Sequence, residues 1–366
     1  MRKEVILVKK RAIWVVVVTT SLMLATLLPA CAAEAPPEGP TEEEVYEFTL
    51  AVSPSLEATN FGWFSDVIDE LEEETNGRIK IVVYGEGEHP YKYSDLYIVT
   101  RDGIYDMAVF MTSYMAGVEP IISLFDLPLL FSCVDEIFDL YTDPDYAYLF
   151  DEVIHQTMAK YNAKLIVNSP HIGYGIGLDR FVENWDSLKG RKIRTYSPEM
   201  EEMILVLNGT PVAIPWAEVY PALQSGIVDG WCTNLRSAYR VKFFEITKYY
   251  TYMDFQTGIT WIMMNTDAYK ELPPDLREIF DAKMAKRQPW FQQWMVEIDE
   301  EAAALVKRDY GGECIYMPKD FRAEAREQMK PVWQDWAERT GGNAAHLLEV
   351  LEEYHTKWVA AHEVRA

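Results

Sequence analysis

Strand-like and helix-like stretches alternate between residues 46 and 111, and no other feature restricts the fold as strongly. YEFTLAVS (46–53) alternates apolar and polar residues and runs into Pro54, the pattern of a half-buried strand with a loop after it. FGWFSDVIDELEEETNG (61–77) carries Phe64, Val67, Ile68 and Leu71 at helical spacing and stops at Asn76-Gly77. RIKIVVYG reads as a strand, YSDLYIVTRDGIY as a helix and DMAVFM as a strand. This β-α-β-α-β order demands a parallel-dominated sheet covered by helices, an α/β domain. PIISLFDLPLLF (120–131) is apolar and broken by proline, a loop packed on the core; two helices and the strand AKLIVNSP follow. A second alternation begins near Gly173: a strand in LKGRKIRTYS, the helix PEMEEMILVLNG, the strand TPVAIP, the helix WAEVYPALQSG and the strand IVDGWCTN. Residues 249–273 hold a further strand pair, and the C-terminal third is helical. Its first helix is long enough to lie across two domains, with a kink expected at Pro289. A folded length of about 320 residues fits two domains. The expected division is 45–171 plus 260–299 against 172–259 plus 300–366. Two such domains joined by crossovers enclose a cleft at the carboxyl ends of their strands, where ligands sit.

The N-terminus places the chain in a compartment. MRKEVILVKKR is basic, and AIWVVVVTTSLMLATLLPA (12–30) is apolar, the pattern of an export signal. LPAC at residues 28–31 resembles a bacterial lipobox, which implies cleavage before Cys31 and lipidation of its thiol. An uncleaved anchor is the other reading, since 19 apolar-leaning residues just span a bilayer. Both readings put the rest of the chain outside the cytoplasmic membrane. Residues 31–44, rich in Pro, Ala and Glu, read as a flexible tether.

The formal charge is −24; removing residues 1–30, which hold five basic side chains and one acidic one, takes it to −28. Such a surface has no basic footprint for nucleic acid and none for anionic lipid. Cys133, Cys232 and Cys314 are widely spaced and form neither a zinc pattern nor a disulfide ladder, so they read as core thiols, with one disulfide possible between two of them. There is no G-x-S-x-G, H-E-x-x-H, P-loop or Rossmann fingerprint, and the six His lack ligand spacing. No enzyme, no cofactor and no metal site is expected.

TPVAIPWAEVYPALQSGIVDG (210–230) resembles the signature of the solute-binding proteins of tripartite ATP-independent periplasmic (TRAP) transporters, the DctP-like family. EETNGRIKIVVY, FDLPLLF, LKGRKIR and MNTDAYKELPPDLREIF resemble further segments of that family in the same order, so the similarity runs from about residue 46 to 360. The resemblance implies a two-domain periplasmic-binding-protein-like fold of class II type, with a ligand cleft and a long C-terminal helix spanning both domains. It implies an extracytoplasmic receptor, lipid-anchored here, that takes an organic acid to TRAP permease subunits, as a monomer or dimer. A receptor of another transporter class or of a sensor would share the fold.

Cations are scarce in this chain, and Arg194 stands at the end of a strand in GRKIRTYSPEM. A guanidinium fork meets a carboxylate bidentately and stays charged. Read alone, Arg194 could bridge to Glu199 or Glu201; the resemblance implies that it holds the ligand's carboxylate. Trp216 matches the family's cleft aromatic. The family's Asn after Asp-Gly falls at Thr233 or Asn234. Its additional Arg falls near Tyr174, where none stands, which leaves His171 and Tyr174 to supply hydrogen bonds. From the first domain, Glu57, Thr59, Asn60 and Phe61 on one loop, and Met111, Ser113 and Tyr114 at a strand end, should reach the cleft. Their apolar and aromatic character suggests a monocarboxylate with an apolar or aromatic body, though Glu57 or Glu88 could face a ligand amine.

Overall fold

The computed structural model describes residues 44–53, 62–146, 148–169, 174–254 and 260–362. The folded unit is Glu44–Ala366. The expected signal, the tether and Cys31 lie outside the described residues, as do Glu57, Thr59, Asn60, Phe61 and His171.

Two mixed sheets organise the chain. The first has the order β2-β1-β3-β10-β4, from β1 (Tyr46–Ala51), β2 (Ile79–Tyr84), β3 (Met107–Met111), β4 (Ala163–Ser169) and β10 (Thr260–Asn265). β1 pairs in parallel with β2 and β3, whereas β10 runs antiparallel to β3 and β4. The helix Phe64–Glu74 buries Phe64, Val67 and Leu71 on this sheet, as their spacing predicts. The second sheet has the order β11-β9-β5-β8-β6-β7, from β5 (Tyr174–Leu178), β6 (Lys192–Thr195), β7 (Thr210–Ala213), β8 (Gly230–Asn234), β9 (Tyr249–Tyr252) and β11 (Glu313–Tyr316). The expected strand pair of 249–273 is therefore two strands of different sheets. The chain crosses from the second sheet back to the first between β9 and β10, having crossed outward between β4 and β5.

Gly175 and Gly177 keep β5 bare where aromatic rings cross it. A Cβ at Gly177 would lie 2.1 Å from the Trp231 ring, and one at Gly175 would lie 2.1 Å from the Thr251 carbonyl. Trp231 stacks on Tyr250 at 5.4 Å and donates to Thr247 Oγ1 at 3.0 Å. The rigid slab behind β8 and β6 rests on these contacts.

The helix Pro274–Tyr310 ties the two halves together. Leu276, Phe280 and Met284 enter the core of the first sheet, and Ala302 and Val306 enter that of the second. It is helical without a break through residue 289, although the Pro289 side chain lies outside the described residues. Gly311, at φ 61°, ends it.

The helix Lys319–Thr340 adds a second strap. Its half-buried Arg322 donates to the carbonyls of Phe131, on the first sheet's side, and of Met253 and Asp254, in the crossover after β9. The last helix, Ala344–Ala361, was expected with the second sheet. Its polar contacts go to residues between β3 and β4: Trp358 to Asp139 at 2.7 Å, and His355 Nδ1 to Glu136 Oε1 at 2.8 Å. Cys133, Cys232 and Cys314 are free thiols. Burial raises the Cys133 pKa to about 11 and that of Cys314 to about 12, so both are inert packing groups.

Candidate functional site

Arg194 sits on β6, which is paired on both sides; its Cα faces Val212 of β7 and Trp231 of β8. The side chain is 2 % exposed. Nε donates to the Ile214 carbonyl at 2.9 Å and Nη1 to the Cys232 carbonyl at 3.3 Å. Its guanidinium carbon lies 4.9 Å from the Tyr196 ring centroid and 5.6 Å from that of Trp216. Among the described residues no carboxylate pairs with it, so the bridge to Glu199 or Glu201 does not form. Burial pulls the Arg194 pKa below that of a free guanidinium, and Tyr114, Tyr196, Cys232 and Tyr174 pull the other way. Removing a cation from water without an anion beside it is costly, and such arrangements concentrate where an anion is received.

Tyrosines surround this cation. Tyr196 donates from its hydroxyl to the Tyr174 oxygen, which also accepts from the Asn234 amide. The Asn234 carbonyl is engaged elsewhere, accepting from Ser237 N at 2.8 Å to cap the helix Leu235–Arg240. Asn234 thereby fixes Tyr174, its partner across β5 and β8. Thr233, the other candidate for that role, gives its carbonyl to the Tyr250 hydroxyl at 2.7 Å. Trp216 opens the turn Trp216–Glu218 after β7; it is half-buried and packs at 5.4 Å on Phe243.

The first sheet contributes from the end of β3, where Met111 lies opposite Thr260 of β10. The turn Thr112–Tyr114 follows. Tyr114 reaches the field of Arg194, which lowers its phenol pKa against the larger upward effect of burial. Its ring meets that of Tyr93 edge-on at 5.4 Å, and Tyr93 accepts a hydrogen bond from Thr260. Arg194, Tyr174, Trp216, Asn234 and Tyr114 thus lie near one another, with Met111 at the end of β3 and Ser113 in the turn that carries Tyr114.

Tyr93 and Tyr196 were missed. Tyr196 stands two residues after Arg194 at the strand end and was readable there; Tyr93 arrives from a remote segment and carries no local signal. A surface hollow of about 470 Å³ between Asp179 and Tyr249 lies at the other end of β5 from Tyr174. Asp179, Glu183 and Asp186 line it together with Arg180, so its formal charge is net negative. Among the described residues no group of His, Cys, Asp and Glu is arranged to hold a metal, and no helix is long and apolar enough to cross a membrane.

The arrangement is a desolvated guanidinium walled by aromatics. The family described as bacterial extracellular solute-binding protein, family 7, matches residues 54–340, and the chain belongs to it. Members are TRAP transporter receptors, not enzymes; they bind small organic acids outside the cytoplasm and work with membrane permease subunits. The chain is 29% identical over 275 residues to the uncharacterized protein YiiZ of Salmonella typhimurium, covering 72% of this chain and 79% of that one. It is 24% identical over 338 residues to the C4-dicarboxylate-binding periplasmic protein DctP of Rhodobacter capsulatus, covering 91% and 95%. Its fold matches a TRAP periplasmic solute-binding protein of Desulfovibrio salexigens crystallised with orotic acid, with a TM-score of 0.75 at 20% identity over 85% of this chain and 99% of that one. The architecture is thus the two-domain α/β fold of these receptors, with two sheets and a long helix spanning both.

Proposed function

We propose that this receptor captures a monocarboxylate with an apolar or aromatic body, holds its carboxylate on Arg194 and presents it to a TRAP permease. The observation that carries this reading is the buried guanidinium with two carbonyl acceptors and no carboxylate partner among the described residues. Two carbonyls leave part of the fork's donor capacity unused, and a ligand carboxylate supplies the missing charge. The rings of Trp216 and Tyr196 flank the guanidinium and offer faces to the ligand's skeleton, while Tyr174 and Asn234 or Thr233 offer polar contacts. His171, Glu57, Thr59, Asn60 and Phe61, which lie outside the described residues, are further candidates for ligand contact, with Met111, Ser113 and Tyr114.

Binding closes the lobes built on the two sheets by a hinge motion that the ligand stabilises through its differential affinity. Cys31, once lipidated, tethers the receptor to the membrane carrying its permease.

The test is thermal unfolding against carboxylates, amino acids and sugars, for the native protein and Arg194→Ala. A ligand at about 100 times its Kd adds about 2.7 kcal/mol. Shifts by carboxylates alone, lost in the variant, support the reading. Shifts by sugars only, or shifts that survive in the variant, refute it.

A further inference from the structure

The two crossovers between the sheets are tied together at their second-sheet end. Tyr174, the first residue of β5, ends the outward crossover, and Met253 and Asp254 begin the return one. The backbone N–H groups of Met253 and Asp254 both donate to the Tyr174 carbonyl, at 3.0 and 2.9 Å. Their own carbonyls accept from Arg322: Nη1 donates to that of Met253, and Nη2 to that of Asp254 at 3.3 Å. The same Nη2 donates at 2.5 Å to the carbonyl of Phe131, which lies between β3 and β4 of the first sheet. One half-buried guanidinium thus bonds both sides of the boundary between the sheets.

The helix that carries it, Lys319–Thr340, is itself fastened to that first-sheet segment. Trp333 Nε1 donates to the Pro128 carbonyl at 3.0 Å, Trp336 Nε1 to that of Pro120 at 3.2 Å, and Arg326 to that of Leu130 at 3.3 Å. Both indoles are buried. Arg322 is the member of this row that also reaches the crossover.

Asp254 shows what the tie holds. Its φ is 40°, in the left-handed region, which costs a residue with a side chain about 1–3 kcal/mol and persists where the surroundings over-determine it. Here bonds to its N–H and to its carbonyl do so. This bend sets the direction in which the chain leaves β9 for β10. Without the guanidinium the bend relaxes, and the exit direction changes with it. Because that exit leads from one lobe to the other, a change at two residues becomes a change of angle between lobes.

We propose that Arg322 is a positioning residue for lobe closure: it pins the start of the return crossover to the first-sheet lobe and so fixes the angle at which the lobes rest. This rests on the hinge motion described above, not on the identity of the ligand.

The test measures the distance between spin labels coupled to keto side chains installed at Glu73 and Glu202. These are exposed positions on the helices Phe64–Glu74 and Pro198–Val206, one on each lobe. Distances are recorded without ligand for the native protein, Arg322→Met, Arg322→Lys and Trp336→Phe. Arg322→Met should shift or broaden the native distribution by about 2 Å or more. The amides of Met253 and Asp254, slow to exchange in the native protein, should exchange faster in that variant. Arg322→Lys, which keeps the charge but not the fork, should fall between. Trp336→Phe removes a bond from the same helix to the same segment, away from the crossover, and should leave the distance native. A native distance in Arg322→Met, or an equal shift in Trp336→Phe, overturns the proposal and leaves the hinge motion standing. If Arg322→Met does not fold, Arg322→Lys and the native amides decide: fast exchange at Met253 and Asp254 in the native protein means that no pin exists. One distance shared by all four proteins, and unmoved by every carboxylate of the thermal panel, overturns the hinge motion as well.

Discussion

Arg194→Met should separate stability from binding. The substitution keeps a long side chain but removes the charge. In the ligand-free protein three contributions nearly cancel. Desolvating one ion costs several kcal/mol. Two hydrogen bonds from a charged donor, to the Ile214 and Cys232 carbonyls at 2.9 and 3.3 Å, return about 1.5–3 kcal/mol each. The rings at 4.9 and 5.6 Å return about 0.5–1 kcal/mol each. We predict a stability change within about 1 kcal/mol of zero, or roughly 2 °C in midpoint for a chain of this size. Binding should behave otherwise: losing one partner of a buried ion pair costs about 3–5 kcal/mol, a roughly 150- to 5,000-fold rise in Kd. The assay is calorimetric titration of a carboxylate found in the thermal panel, run beside chemical denaturation of both proteins without ligand. A stability loss above about 3 kcal/mol with unchanged affinity would sink the reasoning, because Arg194 would then be a structural tie.

Other perturbations give contrasting outcomes. Arg322→Met should lower stability by about 2–4 kcal/mol, since the carbonyls of Phe131, Met253 and Asp254 lose a shared donor; an unchanged denaturation midpoint would contradict the clamp. Burial raises the Asp299 pKa to about 7, aided by Asp254 and Glu300 and opposed by Tyr252 and Arg236. Because the folded state then holds this proton more tightly than the unfolded chain, its contribution to stability is full below about pH 4 and lost as the pH rises through 7. Asp299→Asn should remove that dependence, so its stability relative to the native protein grows between pH 4 and 7; parallel curves would refute the assignment. Gly177→Ala should destabilise by about 3 kcal/mol or more, measured by urea unfolding, because its Cβ would meet the Trp231 ring at 2.1 Å.

Much of the fold was legible because local periodicity and punctuation agree. The spacing of Phe64, Val67 and Leu71, and the alternation in Tyr46–Ala51, each point to one element, and the structure forms both. Sheet membership was less legible. Nothing local in TWIMMN says that β10 inserts between β3 and β4 instead of pairing with β9, because that choice is made by long-range packing. The six-residue helix Leu235–Arg240 is hard to read from sequence for a related reason: it is short, and its cap, Asn234, also fits the pattern of a ligand contact. In the site, Arg194 and Trp216 could be found because each lies in a recognisable motif. Asp126 lies in one too, in FDLPLLF, but its bond to Thr112 at 2.7 Å spans fourteen residues and becomes visible only once the turns are folded.

The helix Pro274–Tyr310 has a mechanical consequence. At 37 residues it is about 55 Å long. Ile298 belongs to one core and Ala302, one turn later, to the other. Any closing motion must therefore flex this rod or shift one of its sockets, and either deformation acts as a spring loaded by the ligand. Measured affinity is then the contact energy less the work of bending. A receptor of this design can hold its cargo firmly and still recoil when a permease relaxes the closed form, so easing the rod near Ile298 should tighten binding and slow release without altering a single ligand contact.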